Sequence, residues 1–166
     1  HILIVGKEGV SYGPQPSGGA SCKSRFVKEA FQQINDKDRA RVHFLDTIPY
    51  DQFKALLQVS SAHVYLTYPF VLSWSLLEAM STGCAIVASN TGPVREAITH
   101  NETGLLVDFF NPEALSDAII ALLNDSSLRT RLGAAARNLA VTRYDLKCFC
   151  LPKQMSWVLD RSDNGN

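Results

Sequence analysis

A chain of 166 residues, 46% of them hydrophobic, has the length and apolar content of a globular domain with a substantial core. Sixteen basic residues balance sixteen acidic ones, so no net charge attracts nucleic acid or an anionic membrane, and no apolar run reaches the roughly 18 residues that span a bilayer. The four cysteines fit neither a disulfide framework nor a paired zinc signature. We therefore expect buried, reduced thiols, no metal and a cytoplasmic protein.

Five short apolar runs predict strands that are buried on both faces. In chain order they are HILIVG (1–6), RVHFL (41–45), AHVYLTY (62–68), CAIVAS (84–89) and GLLVD (104–108). Segments with apolar residues at helical spacing lie between and after them, at 23–34, 50–60, 75–83, 93–100, 111–125, 126–144 and 145–160. This alternation predicts βαβ units and an α/β fold, a Rossmann-like doubly wound parallel β-sheet flanked by helices.

The later helices carry start signals, and the end of the chain carries a stop signal. Asn111 is a candidate N-cap before Pro112, while Asp125 or Ser126 can cap the next helix. Pro152 interrupts the last helical pattern. We expect one domain over 1–160 and a disordered tail at 161–166, and we expect the chain to be part of a longer protein because it opens directly on a strand.

In open α/β sheets, ligands bind beyond the carboxyl ends of the strands. The loop after the first strand, residues 6–21, is rich in Gly, Ser and Pro but contains neither a Gly-x-Gly-x-x-Gly nor a Walker motif. The missing dinucleotide fingerprint disfavours an oxidoreductase, and we expect no cofactor.

The loop and helix after the third strand, YPFVLSWSLLEAM (68–80), contain one acidic residue in an otherwise apolar run. Ser75 and Glu78 have the spacing of a capping box, in which the glutamate reaches back to the helix start. Alternatively, a carboxylate in the first turn can accept hydrogen bonds from a ribose diol while the free N–H groups of that turn hold a diphosphate. Spacing alone leaves both roles open, and Trp74, Leu76 and Leu77 are expected in the core.

The run from Tyr68 to Asp108 resembles the carboxyl-terminal domain of family 4 glycosyltransferases, retaining enzymes of the GT-B fold. The matching positions of the family signature are Glu78, Ala79, Met80, Gly83, Ser89, Gly92 and Glu96. The resemblance implies one half of a GT-B fold that holds a nucleoside-diphosphate sugar. The acceptor, a glycan or a lipid-linked sugar, would bind an amino-terminal domain that this chain does not include, with peripheral membrane association of the full enzyme left open.

The resemblance also assigns roles to individual residues. Glu78 would bind the ribose hydroxyls, and Leu76 would line the pocket. The backbone of Val71, Leu72 and Ser73 would approach the diphosphate or the sugar. Contacts to the nucleobase, which we expect to be that of UDP or GDP, are assigned to the residues after the second strand, Thr47, Ile48 and Tyr50.

One signature residue is missing. Phe70 stands where the family has a glutamate that faces the donor sugar, and an aromatic ring can pack on a sugar but cannot accept its hydrogen bonds. The family's leaving-group Arg and Lys would lie before His1, and the nearest basic residues, Lys7 and Lys23, are expected to be solvated loop charges. The catalytic residues are therefore unassigned, and the alternatives are an active variant and a non-catalytic nucleotide-sugar-binding module.

Overall fold

The computed structural model describes residues 1–9, 21–68 and 71–163. The centre of the first loop, the predicted site residue Phe70 and the end of the predicted tail, 164–166, lie outside the described residues. The chain divides into two compact units, His1–Phe53 and Lys54–Asn166.

The first unit contains a two-stranded parallel sheet, in which β1 (Ile2–Val5) pairs with β2 (Val42–Leu45). Its helical segments are α1 (Cys22–Ala30), a 3₁₀ turn (Phe31–Gln33) and α2 (Asp36–Arg39). The next helix in the chain is α3 (Tyr50–Val59). Both strands lie where the sequence predicts them, whereas α2 was not predicted.

The burial expected for β1 is wrong. All four of its apolar side chains are between 36% and 59% exposed. Among the described residues β1 hydrogen-bonds to β2 alone, in a sheet of two strands. The sequence of β1 is therefore typical of a strand buried on both faces, but both faces of β1 are partly exposed.

The second unit contains a three-stranded parallel sheet with the order β3–β4–β5. These strands are His63–Tyr65, Ile86–Ser89 and Leu105–Val107. The helical segments are α4 (Trp74–Ser81), α5 (Gly92–Arg95), α6 (Pro112–Asn124), α7 (Ser126–Arg143), a π-helical turn (Leu146–Cys150) and α8 (Leu151–Asp163). Parallel sheets flanked by helices confirm the predicted α/β class.

Apolar residues of β4, β5, α6 and α7 form the core of this unit. The buried members of one cluster are Ala85, Val87, Leu105, Val107, Leu122 and Leu132. Helix α7 also approaches the end of α4 closely at Gly133, where an added Cβ would overlap the carbonyl oxygen of Gly83 and come within 3.1 Å of its carbon. Gly83 itself ends α4 with a φ of +79°, a left-handed conformation that favours glycine.

The predicted helix starts in the second half of the chain are confirmed. The Asn111 side chain accepts a hydrogen bond from Ala114 N at 2.9 Å, with Pro112 in the first turn. Asp125 accepts from Leu128 N at 2.9 Å and caps α7. These caps satisfy backbone donors that a helix start leaves unpaired.

Other expectations need correction. Trp74 is 82% exposed rather than part of the core, and Cys148 is exposed, although Cys84 is buried as expected. Pro152 is the second residue of α8, and the π-helical turn Leu146–Cys150 ends where that helix begins, so the predicted helical pattern changes from π to α geometry beside the proline. The described part of α8 extends through Asp163. Within the described ranges, no helix combines the length and the low polarity needed to cross a bilayer.

Candidate functional site

The carboxyl ends of β3, β4 and β5 lie at one edge of the sheet, because the three strands are parallel and in register. The segment after β3 leads into α4, the short loop after β4 leads into α5, and the loop after β5 leads into α6. This edge is where α/β sheets bind ligands.

Ser73 begins α4, and the predicted capping box is wrong. The Ser73 side chain accepts a hydrogen bond from Ser75 N at 3.4 Å, and its backbone is extended with φ −86° and ψ 148°. The Ser73 N–H donates to the phenol oxygen of the buried Tyr65 at 3.0 Å, which fixes the cap to the sheet. Ser75 is thus the second helical residue, and Glu78 is the fifth rather than a residue of the first turn.

Glu78 lies one turn into α4, and its carboxylate has no partner among the described residues. The residue is half-buried, and among the described residues no hydrogen bond or ion pair involves its side chain. Each Cα–Cβ bond of a helix tilts toward the amino terminus, so the carboxylate extends toward the face that carries Trp74 and Ser75. A partly desolvated carboxylate without a partner is suited to accept hydrogen bonds from a ligand.

The other predicted donor-binding residues after β3 have different surroundings. Val71 is exposed and Leu72 is half-buried, whereas Leu76 has no exposed surface and packs inside the unit. Ser73 has already donated its N–H to Tyr65. Within the described ranges, Val71 and Leu72 are the residues of the predicted backbone segment that retain unpaired N–H groups.

Ser89, a buried residue of the family signature, joins two of these segments. The Ser89 hydroxyl at the end of β4 accepts from Thr67 N at 3.0 Å and donates to Thr67 O at 2.9 Å. The pair joins the carboxyl end of β4 to the segment that leads from β3 to α4. No local pattern in the sequence reveals this contact, because it links residues that are 22 positions apart.

The signature residues fall into two groups once their surroundings are known. Packing or backbone conformation accounts for the first group, which comprises Ala79, Met80, Gly83 and Ser89. The second group comprises Glu78, Gly92 and Glu96. Among the described residues, a Cβ at Gly92 would meet nothing within 4 Å, and the Glu96 side chain is exposed without a hydrogen-bond partner. Glu78 lies in α4, which follows β3, and Gly92 and Glu96 lie at the start and just past the end of α5, which follows β4. The residues that the fold does not explain therefore belong to the segments that follow the carboxyl ends of β3 and β4.

The predicted base-contact residues belong to the first unit and follow β2. Thr47 is exposed and Ile48 is half-buried. Tyr50 is exposed at the start of α3, with its ring centroid 6.5 Å from that of Phe53. They form a short accessible segment just past the carboxyl end of a parallel strand.

Lys23 is not the solvated loop charge that the sequence indicates. It lies in the first turn of α1, its Nζ is 3.3 Å from Asp46 Oδ1, and it stands 5.2 Å from the centre of the Phe44 ring. Asp46 follows β2 directly. The ammonium group therefore already has an acidic partner.

Sequence reasoning missed a groove of about 480 Å³ beside β5. Its polar groups include Asn90 and Arg95, whose guanidinium donates to the Asn90 side-chain oxygen at 3.0 Å and to its carbonyl at 3.3 Å. His100 also lines it, and its Nδ1 accepts a hydrogen bond from Leu106 N at 3.0 Å. That acceptor role places the proton of the neutral imidazole on Nε2.

Two titratable side chains near the sheet are perturbed by burial. Desolvation lowers the pKa of His63 below its ordinary value. Desolvation likewise raises the pKa of the Cys84 thiol, which donates to Leu57 O at 2.8 Å. Both groups are therefore neutral near pH 7 and lie in the structural part of the unit.

Comparison with known proteins identifies the family. The family model described as glycosyl transferases group 1 matches residues 23–139. The chain belongs to this family. Among curated proteins, it is 31% identical over 121 residues to D-inositol 3-phosphate glycosyltransferase of Corynebacterium efficiens, an alignment that covers 73% of this chain and 28% of that protein.

Solved structures show the same architecture. Sucrose-phosphate synthase from Thermosynechococcus elongatus superposes with a TM-score of 0.74 at 26% identity, over 99% of this chain and 39% of that one. The Anabaena protein HepE, solved in complex with UDP-glucose, superposes with a TM-score of 0.73 at 21% identity, over 96% of this chain and 40% of that one. This glycosyl transferases group 1 chain thus has the fold of a GT-B carboxyl-terminal domain and spans well under half the length of these relatives.

Proposed function

We propose that this chain is the donor-binding domain of a bacterial, retaining glycosyltransferase of family 4. The complete enzyme would transfer a hexose from a nucleoside-diphosphate sugar to a glycan or a lipid-linked acceptor in polysaccharide biosynthesis. Membership of the glycosyl transferases group 1 family supports the reaction class. The similarity to HepE, whose structure contains UDP-glucose, supports the choice of ligand class.

The observation that carries the proposal is the uncommitted carboxylate of Glu78. It belongs to a family signature, it lies in the helix that follows the carboxyl end of β3, and no described residue pairs with it. The helix start that the sequence offered as an alternative explanation is capped by Ser73. A ribose diol would give the carboxylate two hydrogen bonds to a charged acceptor, each worth about 1.5–3 kcal/mol.

The diphosphate would be held by backbone N–H groups at the start of α4. The first three helical residues are Trp74, Ser75 and Leu76, of which Ser75 N bonds to the Ser73 hydroxyl and Leu76 N to the Ser73 carbonyl. Within the described ranges this leaves the Trp74 N–H, together with those of Val71 and Leu72, free to donate. Such groups at a helix amino terminus bind anions through the aligned peptide dipoles.

The nucleobase contacts stay assigned, by the resemblance, to Thr47, Ile48 and Tyr50 of the first unit. In the second unit, Leu76 is buried in α4 and supports that helix from within the packed interior. Gly92, where a side chain would meet open space, leaves room for a ligand beside the end of β4. We propose UDP or GDP as the nucleotide and no cofactor or metal.

No residue of this chain is assigned to catalysis. Departure of a nucleoside diphosphate develops negative charge that an enzyme must stabilise. In this chain Lys23 is paired with Asp46, so we assign the stabilising cations to the remaining part of the complete protein. The alternative function is a non-catalytic nucleotide-sugar-binding module, which the substitution at Phe70 favours because it removes a carboxylate facing the sugar.

Turnover by the full-length gene product separates these functions. The product would be incubated with UDP- and GDP-hexoses, and both donor hydrolysis and transfer to oligosaccharide or prenyl-phosphate sugars would be measured. We expect consumption of one donor class, with the anomeric configuration of the donor retained in the product. Tight nucleotide binding without turnover of any donor would reject the enzymatic function in favour of the binding module. Absence of nucleotide binding would reject both functions.

A further inference from the structure

Three aromatic side chains pack against one another at the carboxyl edge of the second sheet. The rings of Tyr68 and Phe109 are stacked, with centroids 5.5 Å apart and planes inclined by 25°. Phe110 meets both edge-to-face, at 5.0 Å from Tyr68 and 5.1 Å from Phe109. We call these three side chains the aromatic patch.

Two loops that are distant in sequence build the aromatic patch. Tyr68 follows β3 by three residues, and Phe109 and Phe110 follow β5, with β4 between those two strands in the sheet. The turn after β5 is held by Asp108, whose Oδ1 accepts from Phe110 N at 2.8 Å. The patch is therefore fixed to the same edge as the segment 71–73.

The aromatic patch remains largely open to solvent. Tyr68 is 55% exposed, Phe109 37% and Phe110 70%. Aromatic side chains that pack together and still stay exposed can gain hydrophobic free energy when a ligand or partner buries them. The mutual ring contacts also restrict their rotamers in advance, which lowers the entropy lost on binding.

We propose that the aromatic patch binds a pyranose ring by stacking, with Phe110 as the principal contact. One face of a pyranose carries polarised C–H groups, which match the negative face of an aromatic ring. The Tyr68 phenol and the Asp108 carboxylate can form hydrogen bonds to the hydroxyl groups of the pyranose. The rings would contact the C–H face of a sugar, and the polar groups beside them would contact its hydroxyl groups.

The charge around the aromatic patch favours a sugar over a membrane surface. Segments 66–74 and 105–113 contain no lysine or arginine, and they contain two acidic residues, Asp108 and Glu113. Interfacial attachment to anionic lipid draws on basic residues beside the apolar ones. A neutral, hydroxyl-rich ligand meets no such electrostatic penalty.

The inference rests on the proposed function, because it names the part of a nucleotide sugar or glycan acceptor that this edge recognises. The pyranose could belong to either source. Saturation-transfer NMR on the 166-residue chain distinguishes them, with UDP-glucose and GDP-mannose against UDP and GDP in one arm, and maltotetraose alone in the other.

We expect saturation of aromatic protein protons to transfer to the C–H protons of one pyranose face. Phe110→Leu, which keeps apolar bulk without a ring face, should weaken saccharide binding about tenfold, and Phe110→Tyr should restore it. The matched control is Phe26→Leu, the same change in the three-ring cluster Phe26, Phe31 and Phe44 of the first unit, which should leave saccharide binding unchanged.

Each outcome decides the inference. Equal saccharide binding by the native chain and Phe110→Leu would overturn it, even if UDP or GDP still bound and the proposed function stood. Loss of binding in Phe26→Leu as well would assign the effect to stability instead. Binding of the chain to phosphatidylglycerol vesicles that depends on Phe110, without saccharide binding, would replace the sugar by a membrane surface.

Discussion

Replacement of Gly133 by alanine tests the contact that fixes the helix carrying Glu78. An exposed helical glycine would gain about 1 kcal/mol of helix propensity from this change. At Gly133, however, the new Cβ would overlap the carbonyl oxygen of Gly83 and lie 3.1 Å from the Gly83 carbon. Both atoms belong to the backbone, so no rotamer change relieves the overlap, and α7 must move away from the end of α4.

Overpacking of this kind costs about 1–3 kcal/mol, and a backbone obstacle places the cost near the upper value. Subtracting the propensity gain leaves a net destabilisation of about 2 kcal/mol, or a decrease in Tm of about 4–8 °C for a chain of this size. Urea unfolding followed by far-UV circular dichroism would measure it. The control is Ala134→Gly, an exposed neighbour in α7 that should lose only the propensity, about 1 kcal/mol. A more stable Gly133→Ala protein would refute the close approach of the two backbones.

Three further predictions follow from local contacts. Ser73→Ala should lower the free energy of unfolding by about 0.5–1 kcal/mol through loss of the α4 cap, whereas Ser75→Ala should change it less, as urea unfolding would show. Burial lowers the pKa of His63, so on acidification the unfolded chain binds a proton at this histidine before the folded chain does. The free energy of unfolding should therefore fall as the pH drops below about 6.5. His63→Leu should reduce this fall in urea unfolding measured between pH 5 and 7.5. Iodoacetamide should modify the exposed Cys148 in the native protein and the buried Cys84 only after unfolding, and peptide mass mapping reports both sites. Because the Asp145 side chain raises the pKa of Cys148, its modification should be faster at pH 9 than at pH 7.5.

The order of strands and helices is largely readable from the sequence because hydrophobic periodicity depends on neighbouring residues. The caps at Asn111 and Asp125 are confirmed for the same reason, since each cap oxygen accepts from a backbone N–H only three residues later in the chain. The start of α4 shows the limit of this reasoning. Ser73 and Ser75 could each cap α4, and the structure has Ser73 as the cap. The N–H of Ser73 donates to the phenol oxygen of Tyr65, eight residues earlier.

Burial is less accessible than secondary structure because it depends on what covers an element. The apolar run of β1 has the composition of a doubly covered strand, yet its side chains are exposed where β2 is its one described neighbour. Trp74 is exposed for a similar reason, since its place at the start of α4, rather than its hydrophobicity, determines its surroundings. Three exposed rings also meet in the aromatic patch through a tertiary contact that no spacing in the sequence reveals.

The central claim, that Glu78 binds the ribose of a nucleotide, is tested most directly by comparing a ribonucleotide with its 2′-deoxy counterpart. Calorimetric titration would use UDP, GDP and both deoxy forms with the native chain and with Glu78→Gln. Removal of one hydrogen bond to a carboxylate should weaken binding to the native chain about tenfold or more. For Glu78→Gln we predict weaker ribonucleotide binding, and the dissociation constants of the ribonucleotide and its deoxy form should differ by less than about threefold. The free energy of unfolding should stay unchanged, since no described group pairs with the carboxylate. Full discrimination by Glu78→Gln would contradict the account.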